Sequence, residues 1–182
     1  IQAEIEYLQS QKRFCSKLVA MRKNGEIPVR VTHNDTKYNN VLIDISTQKP
    51  AAIIDLDTVM PGLAAYDFGD AIRFAATTSL ADEPDISKTA LSLEYYEAFS
   101  KGYVSVLRDS FDETELMSLP VGALMMTVEL ALRFCTDYLM GDPYFKLNYP
   151  EHNLVRTRCQ IALAKDMEKK FTQMEKIIRK YM

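Results

Sequence analysis

Near the start of the chain, apolar residues fall at Ile5, Leu8, Phe14, Leu18 and Met21, three to six positions apart. That spacing predicts one amphipathic helix from Ile1 to about Lys23, ended by Asn24-Gly25. The period then shortens. Val29-Arg30-Val31-Thr32 alternates and is β-branched, which predicts a short strand. Val41 to Ile45 and Ala51 to Leu56 read as two further strands, paired as a hairpin about a turn at Ser46 to Pro50. After Met60-Pro61-Gly62 the helical period returns, with a short helix from Tyr66 to Thr77 and a polar loop from Ala81 to Asp85. A long helix from Ser87 to Leu107 follows, and its stripe of Leu91, Tyr95, Phe99, Tyr103 and Val106 reads as core rather than a cofactor groove. Asp112 with Glu115 three positions on is a capping pattern that opens another helix. Pro120 is expected to kink or restart that helix before its apolar run to Met140. Gly141-Asp142-Pro143 breaks it, a loop holding Tyr144, Phe145, Tyr149 and His152 follows, and a last helix runs from about Leu154 to Tyr181. The pattern predicts one mostly helical α+β unit over 1–182. Its parts are a helix at 1–26, a β region at 27–60 and a helical subdomain at 61–182.

Composition narrows the partners. A chain of 182 residues, 47% hydrophobic and 26% charged, suits one domain with a sizeable core. A net charge of −3 supplies no general attraction for nucleic acid or an anionic membrane, so neither is expected as a partner. The basic cluster from Lys165 to Lys170 is broken by Asp166 and Glu168 and reads as a solvated helix face. The longest apolar run, Val121 to Met126, is too short to cross a bilayer. Cys15, Cys135 and Cys159 are odd in number and lack metal spacing, so buried thiols in a reducing cytoplasm are expected. No signal peptide is apparent, and the chain opens inside a helical pattern without Met, so it is expected to be part of a longer protein.

The chemistry concentrates in Thr32-His33-Asn34-Asp35-Thr36-Lys37-Tyr38-Asn39-Asn40 and in Ile53-Ile54-Asp55-Leu56-Asp57. Phosphoryl transfer needs a carboxylate to receive the acceptor's proton, and an amide and a second carboxylate to hold Mg²⁺ against the phosphates. Asp35, Asn40 and Asp55 have that chemistry in that order, and the gap of five from Asp35 to Asn40 is the one a kinase catalytic loop uses. Asp is unfavourable in strands, and Asp55 and Asp57 in one β segment would share a face. A bound cation is the simple remedy for their repulsion, set against two exposed carboxylates on an edge strand.

The run HNDTKYNNVL, with IIDLD and YDFGD, resembles the signature of the aminoglycoside phosphotransferase and choline kinase superfamily. THNDTK-x-NNVL followed by IDLDTVMPGLA-x-YDFGDAIR is similar to the N-acetylhexosamine 1-kinases, most densely over Val29 to Phe74. The resemblance implies the C-terminal lobe of a protein-kinase-like fold, with a small hairpin carrying the catalytic and metal loops. It implies transfer of a phosphoryl group from ATP, with Mg²⁺, to the anomeric hydroxyl of an N-acetylhexosamine. Carried over by position, Asp35 is the base or hydroxyl-orienting carboxylate, Lys37 a phosphate contact, and Asn40 and Asp55 the metal ligands. Asp57, where a protein kinase has Gly, is left between a metal or water contact and a loop brace. His33 is expected to brace the catalytic loop, and Asp67 to tether it through backbone N–H groups. Arg133 and Tyr144 are the expected sugar contacts. Arg73 is expected to pair with Asp70 or Asp67, Asp137 with Arg133, while Asp142 forms a turn and His152 is a loop residue. No Gly-rich loop and no strand-borne Val-Ala-x-Lys occurs, so an N-terminal nucleotide lobe of the same polypeptide is the expected partner. Alternatives are a choline, homoserine or aminoglycoside kinase of the same fold, or a non-catalytic pseudokinase. The basic Arg133 sits badly with a cationic acceptor.

Overall fold

A computed structural model describes residues 1–182. The predicted first helix is three pieces, α1 (Gln2–Ser10), α2 (Lys12–Cys15) and α3 (Lys17–Lys23). The breaks have a local cause. Ser10 and Ser16 each turn a hydroxyl back onto a carbonyl three residues earlier, at 2.6 and 2.8 Å, in competition with the helical ladder. The end of α3 follows its sequence signal: Gly25 takes φ 75°, its N–H reaches Arg22, and the Glu26 N–H reaches the Met21 carbonyl.

The β region is two separate two-stranded sheets. β2 (Val41–Ile43) and β3 (Pro50–Ile53) form the expected antiparallel hairpin, with Val41 opposite Ile53, though both strands are shorter than predicted. β1 (Arg30–Thr32) pairs with β4 (Met60–Gly62), a strand the pattern did not predict because Pro61 and Gly62 read as a break. Thr32 Oγ1 donates to the Met60 carbonyl across this pair.

Helices α4 (Ala64–Ala75), α5 (Leu93–Leu107), α6 (Glu113–Leu139) and α7 (His152–Tyr181) make the rest, so the chain is mostly helical as expected. Four expectations need correction. α5 starts at Leu93, not Ser87, because Ser92 caps it by accepting from the Tyr95 N–H; Ile86–Lys88 forms a separate 3-10 turn. Its buried face is Tyr96, Ser100 and Val104, with Tyr95 and Val106 exposed, so the predicted stripe is rotated by about one residue. α6 runs unbroken through Pro120. Proline inside a helix costs about 3 kcal/mol, and burial of Leu116, Leu119, Val121 and Leu124 around it offsets that cost. His152 is the first residue of α7 and fully buried, not a loop residue; its Nδ1 accepts from the Asn148 N–H and its Nε2 lies 3.1 Å from Asp82.

α6 lies at the centre, packed against α4 and α7. Its length and composition would allow it to cross a membrane, which the short apolar run did not suggest, but 72% of its most apolar window is buried within the protein. At the α4–α6 crossing Gly69 faces Gly122 and Gly122 faces Ala65, and a Cβ on either glycine would overlap a carbonyl of the other helix. This approach sets Asp70 and Arg73 of α4 opposite Glu129 and Arg133 of α6. Phe68 anchors the other side of α4 in a ring cluster with Tyr96, Phe99 and Tyr103.

Candidate active site

β1 delivers the chain to His33, and Asn34 reverses it in the left-handed region at φ 63°, which Asn tolerates better than most residues. The half-buried Asp67, in the first turn of α4, accepts the N–H groups of His33 and Asn34, both at 2.7 Å. Burial pushes its carboxyl up against the opposing pull of those two donors. The Thr36 hydroxyl closes the loop on the Asp67 carbonyl at 2.6 Å. Asp67 therefore does what the tether reading requires.

His33 holds two loops together. Its Nε2 lies 3.0 Å from the Ile54 carbonyl and its Nδ1 accepts from the Asp35 N–H, which assigns the proton to Nε2. Thr58 adds a brace the sequence reading missed: its hydroxyl donates to the His33 carbonyl at 2.6 Å, and its own carbonyl accepts from Asn34 Nδ2.

Within this frame Asp35, Lys37, Asn40 and Asp55 come together. Asn40, at the end of a 3-10 turn and just before β2, gives Nδ2 to both the carbonyl and Oδ2 of Asp35. The Ile54 N–H binds the Asn40 carbonyl at 2.9 Å, which fixes the approach of the two loops. Lys37 Nζ sits 2.6 Å from Asp35 Oδ2 and 3.7 Å from Asp55 Oδ2. Burial pushes the Asp35 carboxyl up, but hydrogen bonds from Lys37 and Asn40 and the Lys37 charge outweigh it, and the net direction is down. Lys37 is raised, chiefly by its hydrogen bond to Asp35.

One sequence argument fails here. Asp55 is not in a strand; it follows β3 in the left-handed region at φ 66°, and Asp57 lies in a 3-10 turn over Leu56–Thr58. The two carboxylates therefore do not share a strand face. Asp57 is exposed and makes no hydrogen bond, so it does not brace the loop.

A cavity of about 410 Å³ opens beside Asp35 and Lys37, within the usual range for small-ligand sites. Arg73, Phe74, Glu129, Arg133 and Phe145 are among the residues lining it. Arg133 enters from α6, with its guanidinium 5.4 Å from the Phe145 ring. Its charge partner is Glu129, at 3.8 Å, rather than the expected Asp137. Asp137 instead is buried and binds the N–H groups of Tyr144 and Phe145 and the Asn153 amide, which shapes the loop after α6. Asp142 is the expected turn former, at φ 59° and held by Asn153. Tyr144 is exposed and does not line the cavity; its neighbour Phe145 does. Arg73 pairs with Asp70 at 2.5 Å, both buried. Charges at i, i+3 and i, i+4 in apolar helices were the available signal for Asp70 and Glu129. A larger cavity, about 650 Å³, lies between α1–α3 and α6, is mostly apolar, and does not include Asp35 in its lining.

The model of the phosphotransferase enzyme family, APH, matches residues 2–103, more than half of the chain. The match contains the His33–Asn40 loop, Asp55 and Asp67, and stops before Arg133. On this match and this geometry, the chain belongs to the phosphotransferase enzyme family, whose members are kinase-like enzymes of the aminoglycoside phosphotransferase and choline kinase superfamily.

Proposed function

We propose that this chain is the catalytic lobe of an ATP- and Mg²⁺-dependent kinase that phosphorylates the anomeric hydroxyl of an N-acetylhexosamine. The observation that carries the phosphotransfer reading is the gathering of Asp35, Lys37, Asn40 and Asp55, with Asp35 and Lys37 lining a cavity of about 410 Å³. The hexosamine is inferred from the sequence resemblance, and Arg133 in the cavity is compatible with a neutral, hydroxyl-rich acceptor.

The oxygen donors fit a hard cation. Asn40 spends its Nδ2 on Asp35, leaving Oδ1 without a donor, and the Asp55 carboxylate has only Lys37 nearby. Two protein ligands are in keeping with a Mg²⁺ site completed by water and phosphate oxygens. Bound there, Mg²⁺ would offset the charge of the phosphate groups.

On this reading Asp35, which lines the cavity, accepts a hydrogen bond from the C1 hydroxyl and aligns its oxygen with the γ-phosphorus. As the new O–P bond forms and the bond to the leaving ADP breaks, the hydroxyl proton passes to Asp35. Asp35, hydrogen-bonded by Lys37 and Asn40, would orient the acceptor hydroxyl before it takes the proton. Lys37 moves its charge from Asp35 toward the transferring phosphoryl group. Arg133 orients the acceptor from α6. An N-terminal lobe of the same polypeptide would cradle the nucleotide, and the site would work in the cytoplasm.

The test is an acceptor panel with the full-length polypeptide, ATP and Mg²⁺, with products identified by ³¹P NMR. The expected product is an α- or β-linked sugar 1-phosphate from N-acetylglucosamine or N-acetylgalactosamine. Faster turnover of choline, homoserine or an aminoglycoside would overturn the acceptor, and Mg²⁺-independent or absent nucleotide binding would favour a pseudokinase.

A further inference from the structure

The cavity beside Asp35 contains a carboxylate that neither the phosphoryl site nor the fold employs. Glu129 and Arg133 stand one turn apart on α6, and both line the cavity. Their closest approach, Nε to Oε1, is 3.8 Å, beyond hydrogen-bond length. Glu129 accepts no hydrogen bond from any group of the protein, and Arg133 donates none. Arg73, which faces Glu129 from α4, is already committed to Asp70 at 2.5 Å. Burial pushes the Glu129 carboxyl up, against the charges of Arg133 and Arg73. The Glu129 side chain is still 44% exposed, so its carboxylate is open to a ligand in the cavity that it lines and can exchange water there for a hydroxyl donor.

The pair is chemically selective. An ionised carboxylate only accepts hydrogen bonds and a guanidinium only donates them, whereas a hydroxyl does both. Two neighbouring hydroxyls satisfy both groups at once, one donating to Glu129 and the other accepting from Arg133. A cationic acceptor would suit Glu129 but would face Arg133, Lys146 and Arg156 around the same cavity. An anionic acceptor would suit those cations but would meet Glu129. A neutral polyol has neither conflict.

We infer that Glu129, together with Arg133, grips two adjacent hydroxyls of a neutral polyhydroxylated acceptor, and that Glu129 is a specificity-determining residue. This rests on the reading of the cavity as the acceptor site, but it does not require the acceptor to be an N-acetylhexosamine.

The experiment uses the full-length polypeptide with its fastest acceptor from a panel of N-acetylhexosamines, hexoses, their monodeoxy analogues, choline and homoserine. Glu129→Gln and Glu129→Ala are compared with the parent for acceptor KM, ATP KM, kcat and melting temperature. The acceptor KM is expected to rise about tenfold for Glu129→Gln and roughly 100-fold for Glu129→Ala, with the ATP KM changed less than about twofold. One monodeoxy analogue should lose a similar factor with the parent enzyme and almost nothing further with Glu129→Ala, because its missing hydroxyl is the one Glu129 holds. An unchanged acceptor KM in Glu129→Ala overturns the inference. So does a parallel rise in both KM values with a lowered melting temperature in both variants, which would mark Glu129 as structural. A fastest acceptor without adjacent hydroxyls, such as choline, also overturns it. If the fastest acceptor is a hexose without the acetamido group, the N-acetylhexosamine reading fails while the assignment of Glu129 stands on its own KM effect.

Discussion

At the scale of single residues, the site is governed by Lys37, which sits between Asp35 and Asp55 and holds the proposed base in its charged form. Replacing Asp35 by Asn keeps the shape but removes the acceptor for the substrate proton. Asp35→Asn in the full-length enzyme is expected to lower kcat by roughly 10²–10⁴-fold, with nucleotide affinity measured by calorimetry little changed. A nearly unchanged kcat would remove Asp35 from the proposed role. The sign of the pH effect follows from the lowered carboxyl. A lowered carboxyl adds stability above its unfolded pKa of about 3.9, and that stability is lost as pH falls through the still lower folded value. Ionisation of Asp35 should therefore put no acid limb into kcat/KM above about pH 5; a limb centred near pH 6 that vanishes in Asp35→Asn would contradict this. That Asp35, Asn40 and Asp55 would come together was legible because the proposed chemistry needs those side chains at a fixed spacing. The expected strand placement of Asp55 and Asp57 failed because β3 ends at Ile53 and Asp55 turns the chain in the left-handed region.

At the scale of elements, the α4–α6 crossing positions both charge pairs of the cavity. By helix propensity alone Gly122→Ala would stabilise α6 by about 1 kcal/mol. The tertiary contact reverses the sign, because the added Cβ would overlap the Ala65 carbonyl. Gly122→Ala is expected to destabilise by about 3 kcal/mol and to lower the melting temperature by roughly 10 °C. Gly102→Ala, in α5 with open space around it, is the control and should leave the melting temperature unchanged or raised. Equal effects of the two substitutions would show that the crossing is not close packed. The same competition between local signal and packing explains the other element-level differences. Serine back-bonding divided the first helix, burial carried α6 across Pro120, and Ser92 set the start of α5.

At the scale of the whole molecule, the chain gathers the proposed phosphoryl-site residues and a candidate acceptor cavity, while no glycine-rich loop is present in its sequence. On the proposed reading, the 182-residue chain alone should show negligible sugar 1-phosphate formation, assayed by coupled ADP release and ³¹P NMR. Robust activity from this chain would refute the need for a further lobe. The sequence by itself determined the two loops proposed as catalytic and metal-binding, the hairpin between them and the helical remainder. Each of these depends on residues close together in the chain: a fixed spacing, a period, or a turn-forming side chain. Only the tertiary structure decided which distant groups meet. Thr58 and β4 close over the catalytic loop from about twenty-five residues away, and Asp67 reaches back to it from α4. Glu129 faces the cavity with Arg133, Asp137 turns away to hold the following loop, and Tyr144 remains outside. The i, i+4 spacing marks Glu129 and Arg133 as a pair, but no local pattern encodes which side chains face the cavity, because that follows from how closely two glycine-faced helices pack.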